Sequence, residues 1–350
     1  MSIFYKLPVK EIRRETVDAV SVAFEIPDHL KKEFRFIAGQ YITIQKELEG
    51  SLLRRAYSIC SSPGSGELRV AIKEVDKGRF SHYANRKMKV GSILEVAAPE
   101  GRFTLIASPE NNKDYMAIAA GSGITPIISM IKAVLEEEKD SRFVLIFGSK
   151  SSDKTIFKNE LDALVASFGN RLKVQYVFSQ IISDKALFGR IDTKLVLDLF
   201  KSEFANRNFD QYFLCGPEEM IDAIKAVLLK RHVKEDDIKF ELFSSTSFKK
   251  EVKKSLNGNA VISIVLDDEE TSFEMRMDEL ILDAALAKGL DAPYSCQGGV
   301  CSSCLARVVE GTAVMEKNTI LDEDEIAEGL ILTCQAHPTT PTIKIDYDDV

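Results

Sequence analysis

Three cysteines crowd into nine residues, Cys296-Gln297-Gly298-Gly299-Val300-Cys301-Ser302-Ser303-Cys304, and a fourth, Cys334, follows after 29 intervening residues. Thiols this close together cannot be dispersed through a core. They are either free thiols or the ligands of something the chain between them wraps round, and the crowding favours the second. Gly298 and Gly299 let the backbone of that loop come close to it. The C-x4-C-x2-C…C spacing is that of a plant-type [2Fe–2S] cluster. Such a cluster is anionic, so backbone N–H groups of the loop must donate to sulfur, and they tune its potential. A structural zinc site prefers two C-x2–4-C pairs across a longer gap, a pattern this crowding fits poorly.

The rest of the chain bounds the setting. At 350 residues it is too long for one ordinary core, so two or three domains are expected. Hydrophobic content of 45% with 29% charged residues is that of a soluble globular protein. No apolar run reaches about 18 residues, so no membrane-spanning helix is expected. Met1–Pro8 lacks the charged-then-apolar order of a signal peptide. A cytoplasmic location is expected, and clustered cysteines there argue for metal rather than disulfides. The net charge of −8 is unevenly spread: residues 259–350 hold 5 Lys/Arg against 19 Asp/Glu, a net of −14, and residues 1–258 hold 41 against 35, a net of +6. This split serves solubility, or it lets an acidic carrier dock electrostatically on basic surfaces. The basic residues are scattered and no aromatic–basic motif appears, so nucleic acid is not an expected partner.

Three segments separate by pattern. Residues 1–107 are β-rich, with alternation at Ala19–Ile26, Gln40–Gln45, Glu67–Ile72 and Ser92–Val96, and their Gly and Pro turns predict a barrel. Residues 108–243 alternate apolar strands (Tyr115–Ala120, Phe143–Phe147, Lys173–Phe178, Tyr212–Cys215) with helical patterns (Ile124–Glu138, Asn159–Ser167, Thr193–Phe200, Glu218–Arg231). That order predicts a parallel sheet covered on both faces. Residues 244–258 read as a linker. Residues 259–350 open with a strand at Ala260–Leu266, continue through a helix at Leu280–Lys288 and the cysteine loop, and include a strand at Ala306–Val309. This is an α+β unit small enough to be helped by an internal cofactor.

Two motifs in the first segment suit a flavin. Arg55-Ala56-Tyr57-Ser58 is read at the start of a strand, and Gly78-Arg79-Phe80-Ser81 feeds a short helix. A helix start with Gly and Ser can receive a pyrophosphate through backbone N–H groups and a hydroxyl. Arg55 would meet the same charge, and Tyr57 would lay its ring on an isoalloxazine. The bland alternative is a barrel arginine and a core tyrosine. Val70 and Ile72, on the strand beside them, complete the expected flavin set.

In the second segment, Ala120-Gly121-Ser122-Gly123-Ile124-Thr125-Pro126 follows a buried strand and opens a helix, the context a phosphate-binding loop requires. Pro126 stands where the full G-x-G-x-x-G has its third glycine. Cys215-Gly216-Pro217-Glu218-Glu219-Met220 is a second strand–turn–helix, and ligands of open α/β sheets collect at such strand ends. Cys215 is either a core thiol or a neighbour of bound nicotinamide.

Taken together and in this order, these motifs resemble the ferredoxin–NADP reductase superfamily fused to a C-terminal plant-type ferredoxin, over essentially the whole chain. Arg55–Ser58, continuing as Ile59-Cys60-Ser61-Ser62-Pro63, looks like the family's flavin motif. Gly78–Ser81 is similar to its flavin-pyrophosphate loop, Gly121–Pro126 to its nicotinamide-pyrophosphate loop, and Glu241-Leu242-Phe243 to its Glu-x-Phe ending. The subgroup resembled most is the reductase components of oxygenases such as phenylacetyl-CoA epoxidase and ketosteroid hydroxylases. The resemblance implies an FAD-binding antiparallel β-barrel, a nucleotide-binding parallel α/β sheet and an α+β, β-grasp-like ferredoxin domain. It implies FAD, a [2Fe–2S] cluster held by Cys296, Cys301, Cys304 and Cys334, and NADPH or NADH. Ser58 and Thr125 fall near flavin N5, and Cys215, Gly216, Pro217, Glu241 and Phe243 around the nicotinamide. NADPH-dependent relatives often carry Ser-Arg where this chain has Ser179-Gln180. Lys150, after Ser149, would replace that arginine only as a point charge, so both coenzymes stay open.

The function expected is that of an NAD(P)H-dependent oxidoreductase, the electron-transfer component of an oxygenase, with its chemistry carried by cofactors. The competing reading is a binding module that senses redox state through the cluster. The nicotinamide loop argues against it, because a sensor needs no hydride source.

Overall fold

The computed structural model describes residues 3–205, 207–242, 256–318 and 320–350. Phe243 and positions 244–255 of the predicted linker lie outside the described residues. The chain forms two compact units, which part after residue 243.

The first unit begins with six antiparallel strands: β1 (Phe4–Thr16), β2 (Ala19–Phe24), β3 (Tyr41–Leu48), β4 (Ser51–Ser58), β5 (Leu68–Lys73) and β6 (Ile93–Ala97). Their order is β4-β3-β6-β1-β2-β5. Ile59, just past β4, bridges Val70 on β5, so the two edge strands meet and the sheet closes into a barrel. Leu7, Val22, Ile42, Ile44 and Leu94 fill its core. α1 (Arg79–Arg86) lies against β5 and is tied to it by Asn85 Nδ2 donating to the Ile72 carbonyl at 3.0 Å.

Two features depart from the sequence reading. β1 is not marked by it, because charged residues and a bulge between Val9 and Glu11 break the alternation. The Arg55–Ser58 motif ends β4 rather than starting a strand. The β3–β4 hairpin turns on Glu49 and Gly50 alone, both left-handed at φ 52° and 70°. A tight turn of this kind usually announces itself as Asn-Gly or Asp-Gly.

Six parallel strands follow: β7 (Asp114–Ala120), β8 (Arg142–Ser149), β9 (Leu172–Phe178), β10 (Leu187–Phe188), β11 (Gln211–Gly216) and β12 (Ile238–Leu242), in the order β10-β9-β8-β7-β11-β12. The helices are α2 (Ile124–Glu137), α3 (Lys158–Phe168), α4 (Thr193–Lys201) and α5 (Glu218–Lys230). The chain winds outward from β7 to β10 and returns to β11 on the other side of β7. That reversal leaves a crevice at the carboxyl ends of β7 and β11. Barrel and parallel sheet share a core, where the ring of Phe103 meets that of Phe213 edge-on at 5.9 Å.

The second unit has a five-stranded sheet, β14-β13-β19-β15-β17. Its strands are β13 (Asn259–Leu266), β14 (Glu269–Arg276), β15 (Leu305–Glu310), β17 (Leu330–Leu332) and β19 (Thr342–Asp346), and β13 runs parallel to β19. β16 (Ala313–Met315) pairs with β18 (Ala336–Pro338), and α6 (Ile281–Ala287) buries Ile281, Leu282 and Ala285 in the core. No helix among the described residues is long and apolar enough to cross a membrane.

Candidate functional site

In the second unit the four clustered cysteines converge. The sulfurs of Cys296 and Cys301 are 3.0 Å apart, and Cys334 is in hydrogen-bonding contact with both Cys296 and Cys304. None forms a disulfide. Gly298 N–H donates to Cys296 Sγ at 3.3 Å, and Gly299 N–H to the Cys334 sulfur. Gly299 is left-handed at φ 68°, and a Cβ there would stand 2.9 Å from the Lys317 carbonyl oxygen. The contact with Cys296, together with burial, pushes the Cys301 thiol well up. Packed thiolates without a cation among them repel one another, and bound iron reverses that balance. The donor set therefore fits an iron–sulfur cluster, with backbone N–H groups already aimed at sulfur.

In the first unit the two flavin motifs, one along β4 and one at the start of α1, meet where Tyr57 faces Phe80. Arg55 is exposed, its guanidinium resting on the Arg54 carbonyl at 2.6 Å. Ala56 is half-buried, and the Tyr57 ring lies 5.7 Å from that of buried Phe80. A Cβ on Gly78 would come within 2.5 Å of Val75 Cγ2. Ser81 turns its hydroxyl inward, donating to the Gly78 carbonyl at 3.0 Å and accepting from Val75 N–H at 3.2 Å. The start of α1 thus offers backbone N–H groups rather than a hydroxyl, with no acidic residue in the first turn. Arg79 is held to the hairpin by Glu49 at 3.4 Å and by the Leu48 carbonyl. The side chains of Val70 and Ile72 are fully buried in the barrel core, which leaves only their backbone to a ligand.

The crevice between β7 and β11 brings together residues from distant parts of the chain. Gly123 packs on β11 so closely that a Cβ would lie 2.2 Å from the Cys215 carbonyl oxygen. Cys215 pairs with Glu241 across the β11–β12 ladder. Ser58 Oγ, from the end of β4, donates to Glu241 Oε2 at 3.4 Å. Burial and then Glu241 push the Cys215 thiol well above its usual range, so it stays protonated. Thr125 is turned into its own helix start, donating to the Ser122 carbonyl at 3.0 Å. Pro126 lies in the first turn of α2, where no acidic residue stands, whereas Pro217 caps α5, whose first turn carries Glu218 and Glu219. An anion at this crevice is therefore favoured at α2 over α5. Gly216 faces Ala120, and a Cβ on it would stand 3.2 Å from the Ala120 Cβ. Ser149 and Lys150 meet Ser179 and Gln180 at the ends of β8 and β9, where Gln180 N–H donates to the Lys150 carbonyl at 3.0 Å.

Comparison with known proteins agrees with this layout. Residues 6–105 match the oxidoreductase FAD-binding domain family, 117–226 the oxidoreductase NAD-binding domain family and 264–339 the 2Fe-2S iron-sulfur cluster binding domain family. The chain is 38% identical to a subunit of 1,2-phenylacetyl-CoA epoxidase from Escherichia coli, over 99% of both chains. It belongs to the ferredoxin–NADP reductase superfamily, in the branch with a C-terminal [2Fe–2S] domain. The reductase is also 31% identical to the ferredoxin reductase component of 3-ketosteroid-9-alpha-monooxygenase from Rhodococcus rhodochrous, over 97% of this chain and 96% of that one. Its fold matches the structure of phthalate dioxygenase reductase with a TM-score of 0.65 at 22% identity, covering 98% of each chain. It is an oxidoreductase that carries electrons between NAD(P)H, FAD and a [2Fe–2S] cluster.

Sequence reasoning missed how the reductase fixes its flavin segment. Ser129 Oγ donates to the Ser61 carbonyl at 2.7 Å, Lys132 Nζ to the Cys60 carbonyl at 3.0 Å, and Ser62 Oγ to Glu136. All three partners lie on α2, about seventy residues away, so no local pattern links them to the flavin motif. Cys60 itself is a core thiol, pushed up to about 12 by burial.

Arg55 gives the first testable consequence. With Arg55 at the flavin phosphates, as its motif leads one to expect, Arg55→Ala would remove a charge-assisted contact worth about 1.5–3 kcal/mol and should weaken FAD binding roughly ten- to hundredfold. Fluorescence titration of the flavin-free protein with FAD measures this. Undiminished affinity would remove Arg55 from the flavin site.

Proposed function

We propose that this reductase takes hydride from NADPH or NADH and delivers single electrons to a terminal oxygenase of the phenylacetyl-CoA epoxidase or ketosteroid hydroxylase kind, in the cytoplasm. The observation that carries the site assignment is the meeting of Ser58, Cys215 and Glu241 at the crevice between β7 and β11. When bound, the flavin supplies the exchange between two-electron and one-electron chemistry. The chain's residues do the rest. Arg55 and the start of α1 hold the flavin phosphates, and Ala56, Tyr57 and the β5 backbone of Val70 and Ile72 hold its ring system. The α2 start, through Gly121, Gly123 and Thr125, receives the nicotinamide pyrophosphate. Cys215, Gly216 and Pro217 shape the nicotinamide pocket. Glu241 orients the Ser58 hydroxyl, fixing which way its lone pairs point. Ser149 and Lys150 meet the adenosine end, and Lys150 accommodates a 2′-phosphate without a bidentate grip. Cys296, Cys301, Cys304 and Cys334 ligate the cluster. The working modules are residues 1–107, 108–243 and 259–350, with 244–258 as the connection.

Steady-state oxidation of NADH and NADPH, with ferricyanide and then cytochrome c as acceptor, tests this reading. Turnover with both acceptors is expected, and cytochrome c reduction should require the cluster. A flavin-loaded protein that oxidises neither coenzyme would overturn the reading in favour of a sensor. Reconstitution with an oxygenase of either kind then identifies the partner class.

A further inference from the structure

Gln335 follows Cys334 directly and is only 1% exposed. Its Nε2 donates to the Cys334 carbonyl at 2.7 Å and to the Gln297 carbonyl at 3.2 Å, and it stands 3.9 Å from Cys334 Sγ. Turning the amide over would press Oε1 against two carbonyl oxygens, so the orientation is set by its partners. In that orientation Oε1 has no partner among the described residues. A buried acceptor left without a donor is destabilising, so the local fold tolerates a cost to keep the N–H side where it is. The residue it holds is itself strained, since Gln297 is left-handed at φ 52° inside the cysteine loop. The Gln335 stem also walls the loop, because its Cγ lies 3.0 Å from where a Cβ on Gly299 would be. The backbone of Gln335 is pinned on both sides, donating to the Leu332 carbonyl and accepting from Glu316 N–H, each at 2.8 Å.

We propose that Gln335 is a positioning residue for the iron–sulfur cluster. Its amide locks the Gln297–Gly299 turn against Cys334, with its two N–H groups held by the Gln297 and Cys334 carbonyls and the positive NH2 end of its dipole beside the Cys334 sulfur. A positive dipole end near a thiolate favours the reduced, more negative cluster and so raises its potential. The proposal rests on the cluster reading, and the test separates the two. Gln335→Met keeps the length and shape of the side chain without a donor; Gln335→Leu also removes the donor and takes away the far end of the side chain. Both are made in the full chain and compared with wild type by iron and sulfide content, redox titration and visible circular dichroism. Gln335→Met should lower the equilibrium constant for cluster reduction roughly tenfold, about 59 mV for a one-electron couple. Gln335→Leu should lower it at least as far, and both should change the dichroism. If both variants lose iron while the metal-free proteins melt as wild type does, the positioning role also stands. Iron-loaded variants with wild-type potential and dichroism would overturn the proposal and leave the cluster in place. Wild-type protein without iron and sulfide would overturn both.

Discussion

Cys301→Ser is expected to abolish the cluster's visible absorbance and to cut cytochrome c reduction by at least about a hundredfold, while flavin reduction by NAD(P)H stays within about twofold of wild type. Cys301 is buried and in contact with Cys296, so the loss removes a thiolate from the middle of the converging set. A serine oxygen is a harder donor and a poorer partner for iron in this setting. The residues proposed to hold flavin and nicotinamide belong to the other compact unit, which has its own cores. Iron and sulfide analysis together with stopped-flow absorbance reads both halves of the prediction. Flavin reduction that collapses together with the cluster would show that the two units do not work as independent bodies.

The second large effect is at Gly123. A methyl group there would lie 2.2 Å from the Cys215 carbonyl oxygen and 2.6 Å from its carbon, both backbone atoms that cannot swing aside. Gly123→Ala must push the α2 start off β11 and widen the crevice. The KM for the nicotinamide coenzyme should rise by about a hundredfold, equivalent to about 2.7 kcal/mol of lost binding, with flavin content unchanged. Gly121→Ala is the control. Gly121 is left-handed at φ 57° with open space around it, so alanine there brings only backbone strain of about 1 kcal/mol. Equal effects from the two substitutions would mean that close packing against β11 does not shape the site.

Much of this was legible in the chain because the decisive signals are local. The cysteine spacing, the glycines at Gly121 and Gly123 and the apolar strand before them each report on a few consecutive residues. What stayed hidden depends on contacts between distant positions. Ser58 and Glu241 are separated by 183 residues, and only the winding of the barrel onto the parallel sheet brings them together. β1 is masked by its charge, since Lys10, Glu11, Arg13 and Arg14 interrupt the alternation of a strand that places Leu7 and Val9 in the core. The inward turn of the Ser81 hydroxyl cannot be read from a Gly-x-x-Ser pattern, which is the same whether the oxygen faces a ligand or its own loop. Gln335 carries no motif at all beyond its place after a cysteine.

The clamp between α2 and the flavin segment bears on how such proteins can be recombined. Ser129, Lys132 and Glu136 sit three and four residues apart, on one face of the helix. They hold Cys60, Ser61 and Ser62 from outside the barrel. A chimaera that takes its barrel from one relative and its nucleotide domain from another therefore cuts through this clamp, even when the splice falls in the loop near residue 107. Such a hybrid inherits a mismatched cradle unless the three helix residues travel with the barrel. The crossover that respects the architecture is a helix stripe grafted together with a strand end, rather than a single cut in the sequence.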